Sequence, residues 1–199
     1  MDVERELVET YFESNGFLVR QTGNLEVVSG RKKHEKLVTL GIFNPAVSHN
    51  ASMSFRLYTS DLVKIRAGLV SLIGWGNSDF TNGMLNNDTS LLKFFKKEVK
   101  GNRLESSFNP GPELAESGMG SFLRLLVVPA LPRNEAKVAE VFRILKEAGV
   151  DGILTLRSML ENLLRHSEPT KIYSGKPFFQ VLKLMKVYEL AKEPQLEMF

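Results

Sequence analysis

A short apolar run from Gly68 to Trp75 constrains the fold of this chain more than any other stretch. Its residues are Gly-Leu-Val-Ser-Leu-Ile-Gly-Trp, and Val70 and Leu72 blur the alternation that a half-exposed strand would show. A continuous apolar run of this kind is typical of a strand that is buried on both faces. One amphipathic segment precedes the run and another follows it. The pattern predicts the central strand of an α/β sheet.

The composition limits which chemistry the chain can carry. It has 199 residues, of which 43% are hydrophobic and 25% are charged, and this is typical of a folded globular protein. The absence of cysteine excludes disulfides, thiol catalysis and zinc sites built on cysteine. The histidines His34, His49 and His166 are too far apart in the sequence to indicate a metal motif. No cofactor and no metal are therefore expected.

The charge and the apolar runs bear on location and partners. The chain begins Met-Asp-Val-Glu-Arg-Glu, which lacks the basic and apolar regions of a signal peptide. No apolar run approaches the roughly 18 to 20 residues that a membrane span needs. We therefore expect a soluble, cytoplasmic protein with no membrane partner. The net charge of +3 is compatible with a polyanionic partner but does not require one.

The remaining periodicity predicts helices alternating with strands, and so a partly parallel, mixed sheet. The first predicted helix is 2–15. The strands predicted after it are 17–21, 37–43, a candidate at 55–58, 68–75, 122–128 and an edge strand at 150–156. The other predicted helices are 60–66, one capped by Asp88 or Thr89, one capped by Asn134 and ended by Gly149, 158–166 and 178–192. We divide the chain into an α/β core at 1–130, a helical part packed on it at 131–193 and a tail at 194–199.

Three sequence segments, together with this order of elements, resemble the PD-(D/E)XK, or restriction-endonuclease-like, superfamily. VERELVETYFESNGFLVR is similar to the first helix of that fold and its turn into the first strand. KLVTLGIFNP stands where the second strand carries a metal-binding aspartate, and GLVSLIGW stands where the third carries Glu-x-Lys. The resemblance covers residues 2–128. It implies a restriction-endonuclease-like mixed sheet flanked by helices, here with a helical C-terminal part.

The residues that carry the chemistry of that superfamily are replaced in this chain. The aligned positions hold Thr39 for the aspartate, Ser71 for the glutamate and Ile73 for the lysine. Nuclease chemistry needs carboxylates to hold Mg²⁺ against a phosphate, and a hydroxyl pair does not replace two anions. Glu4 or Glu6 of the first helix is a possible residual acid. The resemblance thus implies a pseudoenzyme without a catalytic centre.

Two interpretations compete with a non-catalytic nuclease fold. The first is an active Mg²⁺-dependent nuclease with displaced acids such as Glu98 or Asp79. Glu98-Val99-Lys100 and Glu135-Ala136-Lys137 both match Glu-x-Lys literally, but they fall in predicted helix ends. The second is a structural interaction protein without a nucleic-acid role, which forms a homodimer through its apolar C-terminal helices.

Two segments are candidates for binding a partner. Arg31, Lys32, Lys33 and Lys36, with Arg20 nearby, could contact the phosphates of DNA, or could form a solvated loop. The tail Gln195-Leu196-Glu197-Met198-Phe199 resembles the short peptide with which bacterial replication and repair proteins bind the sliding clamp. In such peptides Gln195, Leu196, Met198 and Phe199 would make the contacts, although the apolar residues could also fold back onto the domain. The favoured function is a nucleic-acid-associated binding or scaffold module in a bacterial-type cytoplasm.

Overall fold

The structure, a computed structural model, describes residues 3–22, 37–100, 103–110 and 121–191. Its strands are β1 (Leu18–Gln21), β2 (Val38–Phe43), β3 (Ala67–Leu72), β4 (Leu123–Val128) and β5 (Gly152–Thr155). Its α-helices are α1 (Val3–Ser14), α2 (Asp88–Val99), α3 (Arg103–Ser107), α4 (Glu135–Glu147), α5 (Leu156–His166) and α6 (Pro177–Val187). Short 3₁₀ helices span Thr59–Lys64 and Asn82–Asn86.

The five strands form one mixed sheet in the order β1-β2-β3-β4-β5. β1, β2 and β3 are antiparallel neighbours, whereas β4 runs parallel to β3 and β5 parallel to β4. The parallel pairs are joined by crossovers that contain α2 and α4. The predicted mixed α/β sheet is confirmed, and its fifth strand lies beyond residue 130.

Helices cover both faces of the sheet. The first face packs against α1, α5 and α6, in a cluster that includes Tyr11, Phe12, Val70, Leu163 and Phe179. The second packs against α2, α3 and α4, in a cluster that includes Leu69, Ile73, Phe95, Leu104 and Leu145. Because β3 lies between the two layers, all six of its residues are buried, as its apolar run predicts.

The first helix follows directly from its sequence pattern. Leu7, Val8, Tyr11 and Phe12 recur at helical spacing and are all buried against the sheet. Gly16 ends the helix with a φ of +87°, a left-handed conformation that favours glycine. The helix and the following strand are confirmed, with boundaries within one residue of those predicted.

The central strand ends three residues earlier than the sequence predicts. β3 stops at Leu72, and Ile73 adds one more hydrogen bond, from its amide to the Val127 carbonyl (3.0 Å). The side chain of Asn77 then accepts from the Gly74 amide (2.7 Å) and donates to the Leu72 carbonyl (2.9 Å). These two bonds turn the chain away from the sheet, so Trp75 lies in a loop.

Four other predictions are wrong in detail. Residues 55–58 do not form a strand; they make a single bridge, Arg56 to Ile153, along the edge of β5. Asn87 caps α2, because its side chain rather than that of Asp88 or Thr89 accepts from the Ser90 amide. The helix predicted at 60–66 is a 3₁₀ turn, and α6 ends at Val187 instead of continuing to residue 192.

Candidate functional site

The two hydroxyl residues that replace the acids lie side by side in the sheet. Thr39 of β2 and Ser71 of β3 are directly opposite each other in the antiparallel register. Directly opposite residues point to the same face of a sheet, with Cβ atoms about 4.5–5.5 Å apart. Ile73 follows on that face and belongs to the cluster beneath α2, α3 and α4. The structure therefore brings Thr39, Ser71 and Ile73 together.

This place is closed by α3. The hydroxyl of Thr39 donates to the carbonyl of Ser107 at the end of α3 (2.9 Å). Leu104 and Phe108 from the same segment are buried in the cluster that contains Ile73. Ser71 and Ile73 have no exposed surface. A phosphodiester would have to displace α3 before it could reach either residue.

The hydroxyl of Ser71 is buried without compensation. Its Oγ atom has no hydrogen-bond partner among the described residues, although the side chain is fully buried. Such a hydroxyl destabilises the fold, because it loses its bonds to water without gaining a partner. The pair Thr39–Ser71 thus carries no negative charge and has one unsatisfied polar atom.

Glu4 is the one candidate acid that reaches the end of the central strand. Its carboxylate accepts hydrogen bonds from the amides of Trp75 (2.9 Å) and Gly76 (3.1 Å). A Cβ atom on Gly74 would overlap this carboxylate. Glu4 therefore anchors the loop after β3 to α1, while Glu6 lies half-buried on the same helix.

The other acids considered from the sequence do not converge. Asp79 forms an ion pair with Lys97, while Glu98 lies near the end of α2 and Glu135 in the first turn of α4. Among residues 3–22, 37–100, 103–110 and 121–191, no three His, Asp or Glu side chains are grouped so that they could hold a metal ion. The literal Glu-x-Lys sequences lie on two different helices.

Most of the predicted partner-binding residues lie outside the described ranges. Arg20 is exposed on the edge strand β1. Arg31, Lys32, Lys33 and Lys36 fall in the segment 23–36, and Gln195, Leu196, Met198 and Phe199 fall in the segment 192–199, neither of which is described. The proposals for DNA and sliding-clamp binding at these residues therefore stay predictions.

A basic surface on α2 was not anticipated as a site. Lys93, Lys96, Lys97 and Lys100 are all exposed and recur at the spacing i, i+3, i+4, i+7, so they share one side of the helix. A hydrogen bond from Lys97 to Asp79 raises the pKa of this lysine above its ordinary value. The spacing was visible in the sequence, but only the structure places this side of α2 toward solvent.

Trp75 also differs from the prediction, which extends the buried central strand to this residue. It is 43% exposed, and its ring meets that of Phe80 edge-on with centroids 4.7 Å apart. Phe80 in turn packs against Phe94 of α2 (5.4 Å). Phe80 therefore connects the exposed indole to the helix that carries the lysines.

Helix α6 leaves apolar side chains uncovered among the described residues. Phe179 and Leu182 are buried in the core cluster that α1 and α5 share, but Val181, Leu184 and Tyr188 are more than half exposed. These three residues follow the spacing i, i+3, i+7 and so lie along one side of the helix. An exposed apolar stripe of this kind is typical of a surface that binds another protein.

Of the helices in the described ranges, none combines the length and the apolar character that crossing a membrane requires. No family model, no curated protein and no solved structure matches the chain.

Proposed function

We propose that this chain is a non-catalytic relative of the restriction-endonuclease-like fold that acts as a nucleic-acid-associated binding or scaffold module. Support for the fold comes from the order of its elements. A helix, three antiparallel strands, a second helix and a strand parallel to the third follow one another. The three sequence segments on which the resemblance rests fall on α1 with β1, on β2 and on β3.

The observation that carries the absence of catalysis is the pairing of Thr39 with Ser71. These positions share one face of the sheet, as two metal-binding acids would, but they present hydroxyl groups. Thr39 is hydrogen-bonded to the end of α3, Ser71 is fully buried, and Ile73 offers no charge at the remaining position. A site for Mg²⁺ requires anionic oxygen ligands that this pair does not supply.

Cleavage and metal binding test this part of the proposal. Purified protein should leave supercoiled plasmid and single-stranded DNA intact in the presence of Mg²⁺ or Mn²⁺. Calorimetry should detect no saturable binding of either ion. If cleavage occurs and is lost in Asp79→Asn or Glu98→Gln, the chain is an active nuclease with displaced acids, and the proposal is wrong.

Association with nucleic acid needs its own test. Binding of labelled DNA should weaken steeply as salt rises, because each lysine or arginine that contacts a phosphate releases a counterion. The triple variant Arg31→Ala/Lys32→Ala/Lys33→Ala should reduce the affinity and the salt slope if the basic segment takes part. No detectable binding to single- or double-stranded DNA at low salt would overturn this function.

The tail is proposed as a second contact, with a replication sliding clamp. Removing residues 195–199 should abolish capture of the clamp while leaving DNA binding unchanged. A variant with only Glu197→Ala is a suitable control, because the clamp-binding peptides that the tail resembles have an acidic or a small residue at this position. Equal clamp binding with and without the tail would end this idea.

A structural role through homodimer formation is the second candidate, and the exposed stripe on α6 favours it. Val181→Lys/Leu184→Lys should convert a dimer into a monomer, as measured by sedimentation velocity. Val63→Lys is a matched control, because Val63 is also an exposed valine but lies in a 3₁₀ turn. A wild-type protein that sediments as a monomer at high concentration would exclude this candidate.

A further inference from the structure

The exposed side of α2 and the loop after β3 form one continuous surface. Lys93, Lys96 and Lys97 lie on the helix and Lys100 caps its C-terminal end, so the four span about two turns, a length of about 10 Å. The loop meets this exposed side of the helix through the Asp79–Lys97 ion pair, and its Phe80 packs against Phe94 on the buried side. Trp75 lies at the loop end of this surface, which we call the α2–Trp75 surface.

Two of the four lysines are available for a ligand. Lys96 pairs with Glu140 (3.2 Å), and Lys97 pairs with Asp79. Lys93 and Lys100 are exposed and form no ion pair with any residue in the described part of the chain. The strongest interactions with an anion are therefore expected at Lys93 and Lys100, the first and the last of the four lysines.

The indole of Trp75 is held in place rather than loosely exposed. The backbone amide of Trp75 donates to the carboxylate of Glu4, and the indole ring packs edge-on against Phe80. Nearly half of the side chain faces solvent. A fixed aromatic ring with an open surface offers a partner for a planar group without a large entropic cost.

We propose that the α2–Trp75 surface binds single-stranded nucleic acid, with phosphates along the lysines and one unpaired base against Trp75. This inference rests on the proposed nucleic-acid function and assigns a surface to it. Proteins that bind single strands combine a basic track for the backbone with aromatic side chains on which bases stack. In a duplex the bases are paired and stacked on one another, so no base face is available to stack on Trp75. An acidic protein surface would use the lysines alone.

Trp75 gives a direct measurement because it is the one tryptophan in the sequence. The probe is an oligothymidylate of about 12 nucleotides, within the usual site size for such surfaces. An oligouridylate of the same length is the second probe and distinguishes DNA from RNA. We expect saturable quenching of the Trp75 fluorescence by at least one of them, with an affinity that falls as salt rises.

Matched charge variants test the lysines. Lys93→Gln/Lys100→Gln should lower the slope of log affinity against log salt by about 1.4, the value for two lost phosphate contacts on a single strand. Arg165→Gln/Lys176→Gln removes the same charge on α5 and at the start of α6, in the opposite layer. This control should bind with an unchanged slope. Circular dichroism establishes that both variants are folded.

Variants of Trp75 test the stacking contact by anisotropy of a labelled oligonucleotide. Trp75→Ala should weaken binding roughly 5- to 100-fold, the range for loss of one stacked base. Trp75→Phe keeps an aromatic face and should recover most of the affinity. A purely electrostatic surface would bind equally well in all three proteins.

The possible failures are distinguishable. Binding of a single strand with unchanged Trp75 fluorescence and an unchanged salt slope in Lys93→Gln/Lys100→Gln would overturn this inference and leave the proposed function intact. Tighter binding of a duplex than of the single strand would also overturn it. Absence of binding to any nucleic acid at low salt would overturn both.

Discussion

Thr39 and Ser71 lie directly opposite each other on β2 and β3, yet only the hydroxyl of Thr39 has a hydrogen-bond acceptor. Thr39 holds α3 to the sheet through the carbonyl of Ser107. Ser71 is more deeply buried and has no partner among the described residues. The same kind of group therefore contributes to stability in opposite directions at neighbouring positions.

Removing the hydroxyl of Thr39 should lower the free energy of unfolding, whereas removing the hydroxyl of Ser71 should not lower it. Thr39→Val keeps the shape of the side chain and should lower stability by about 1 kcal/mol, because it removes one hydrogen bond. Ser71→Ala should leave stability unchanged or raise it by up to about 1 kcal/mol, because it removes an unsatisfied buried polar atom. Urea unfolding of both variants measures the difference. A clear loss of stability in Ser71→Ala would mean that this hydroxyl has a partner.

Restoring acids at these positions tests the resemblance to the nuclease fold. Thr39→Asp/Ser71→Glu would place two carboxylates on one face at opposite register positions. Without metal, burial and mutual repulsion should make this variant less stable than the wild type by several kcal/mol. Mg²⁺ or Mn²⁺ should recover part of the loss, because an ion that binds only the folded state stabilises it.

Thermal unfolding with and without each ion gives this result. The single variants Thr39→Asp and Ser71→Glu serve as controls and should recover less, since one carboxylate is a poor site for a divalent cation. A double variant that unfolds at the same temperature in metal and in chelator would count against a latent metal site between β2 and β3.

Several elements were predictable because their determinants are local. The buried strand β3 was predicted by its apolar run, and α1 by apolar residues at helical spacing. The cap of α4 was predicted at Asn134, whose side chain accepts from the Lys137 amide. In each case, side-chain type and spacing within one element decide the outcome.

The errors occur where residues distant in the sequence decide the local structure. Trp75 was expected to be buried, but the carboxylate of Glu4, 71 residues away, fixes its loop outside the core. Asp88 is a good capping residue, but it accepts from the amides of Arg133 (3.0 Å) and Asn134 (2.8 Å), so Asn87 caps α2. Sequence spacing revealed the lysines of α2, whereas their position next to Trp75 depends on tertiary contacts.

The link between Glu4 and Gly74 should appear as an energetic coupling. Glu4→Ala should lower stability by about 1–3 kcal/mol, because two backbone amides lose a charged acceptor. Gly74→Ala should also destabilise the protein, since its new methyl group displaces the same carboxylate. In the Glu4→Ala background the space is empty, and Gly74→Ala should cost less.

A double-mutant cycle measured by urea unfolding quantifies this coupling. Glu13→Ala is a suitable control, because Glu13 is exposed near the end of the same helix. The fluorescence of Trp75 should change in Glu4→Ala but not in Glu13→Ala. Additive effects of Glu4→Ala and Gly74→Ala would show that the carboxylate does not occupy the space above Gly74.

The dependence of stability on pH should report the two ion pairs of Glu140, one with Lys96 of α2 and one with Arg143 within α4. Hydrogen bonds from Arg143 and then from Lys96 lower the pKa of Glu140 from 4.5 to about 2. Because the pKa of Glu140 is lower in the folded state, its ion pairs contribute stability at pH values above the pKa that the carboxyl group has in the unfolded chain. This contribution is lost as the pH falls from about 4.5 to about 2. The difference in stability between wild type and Glu140→Gln should therefore shrink over that interval.

The partner variant Arg143→Gln provides the matched test, because Arg143 is the first cause of the low pKa of Glu140. In the Arg143→Gln background, the effect of Glu140→Gln should depend less on pH, since Lys96 alone remains within reach of the carboxylate (3.2 Å). Urea unfolding of the four proteins between about pH 2 and pH 6 gives this comparison. High salt should reduce the coupling as well, because these side chains are partly exposed and screened. An effect of Glu140→Gln that is the same at every pH would mean that the carboxylate titrates alike in the folded and unfolded chain.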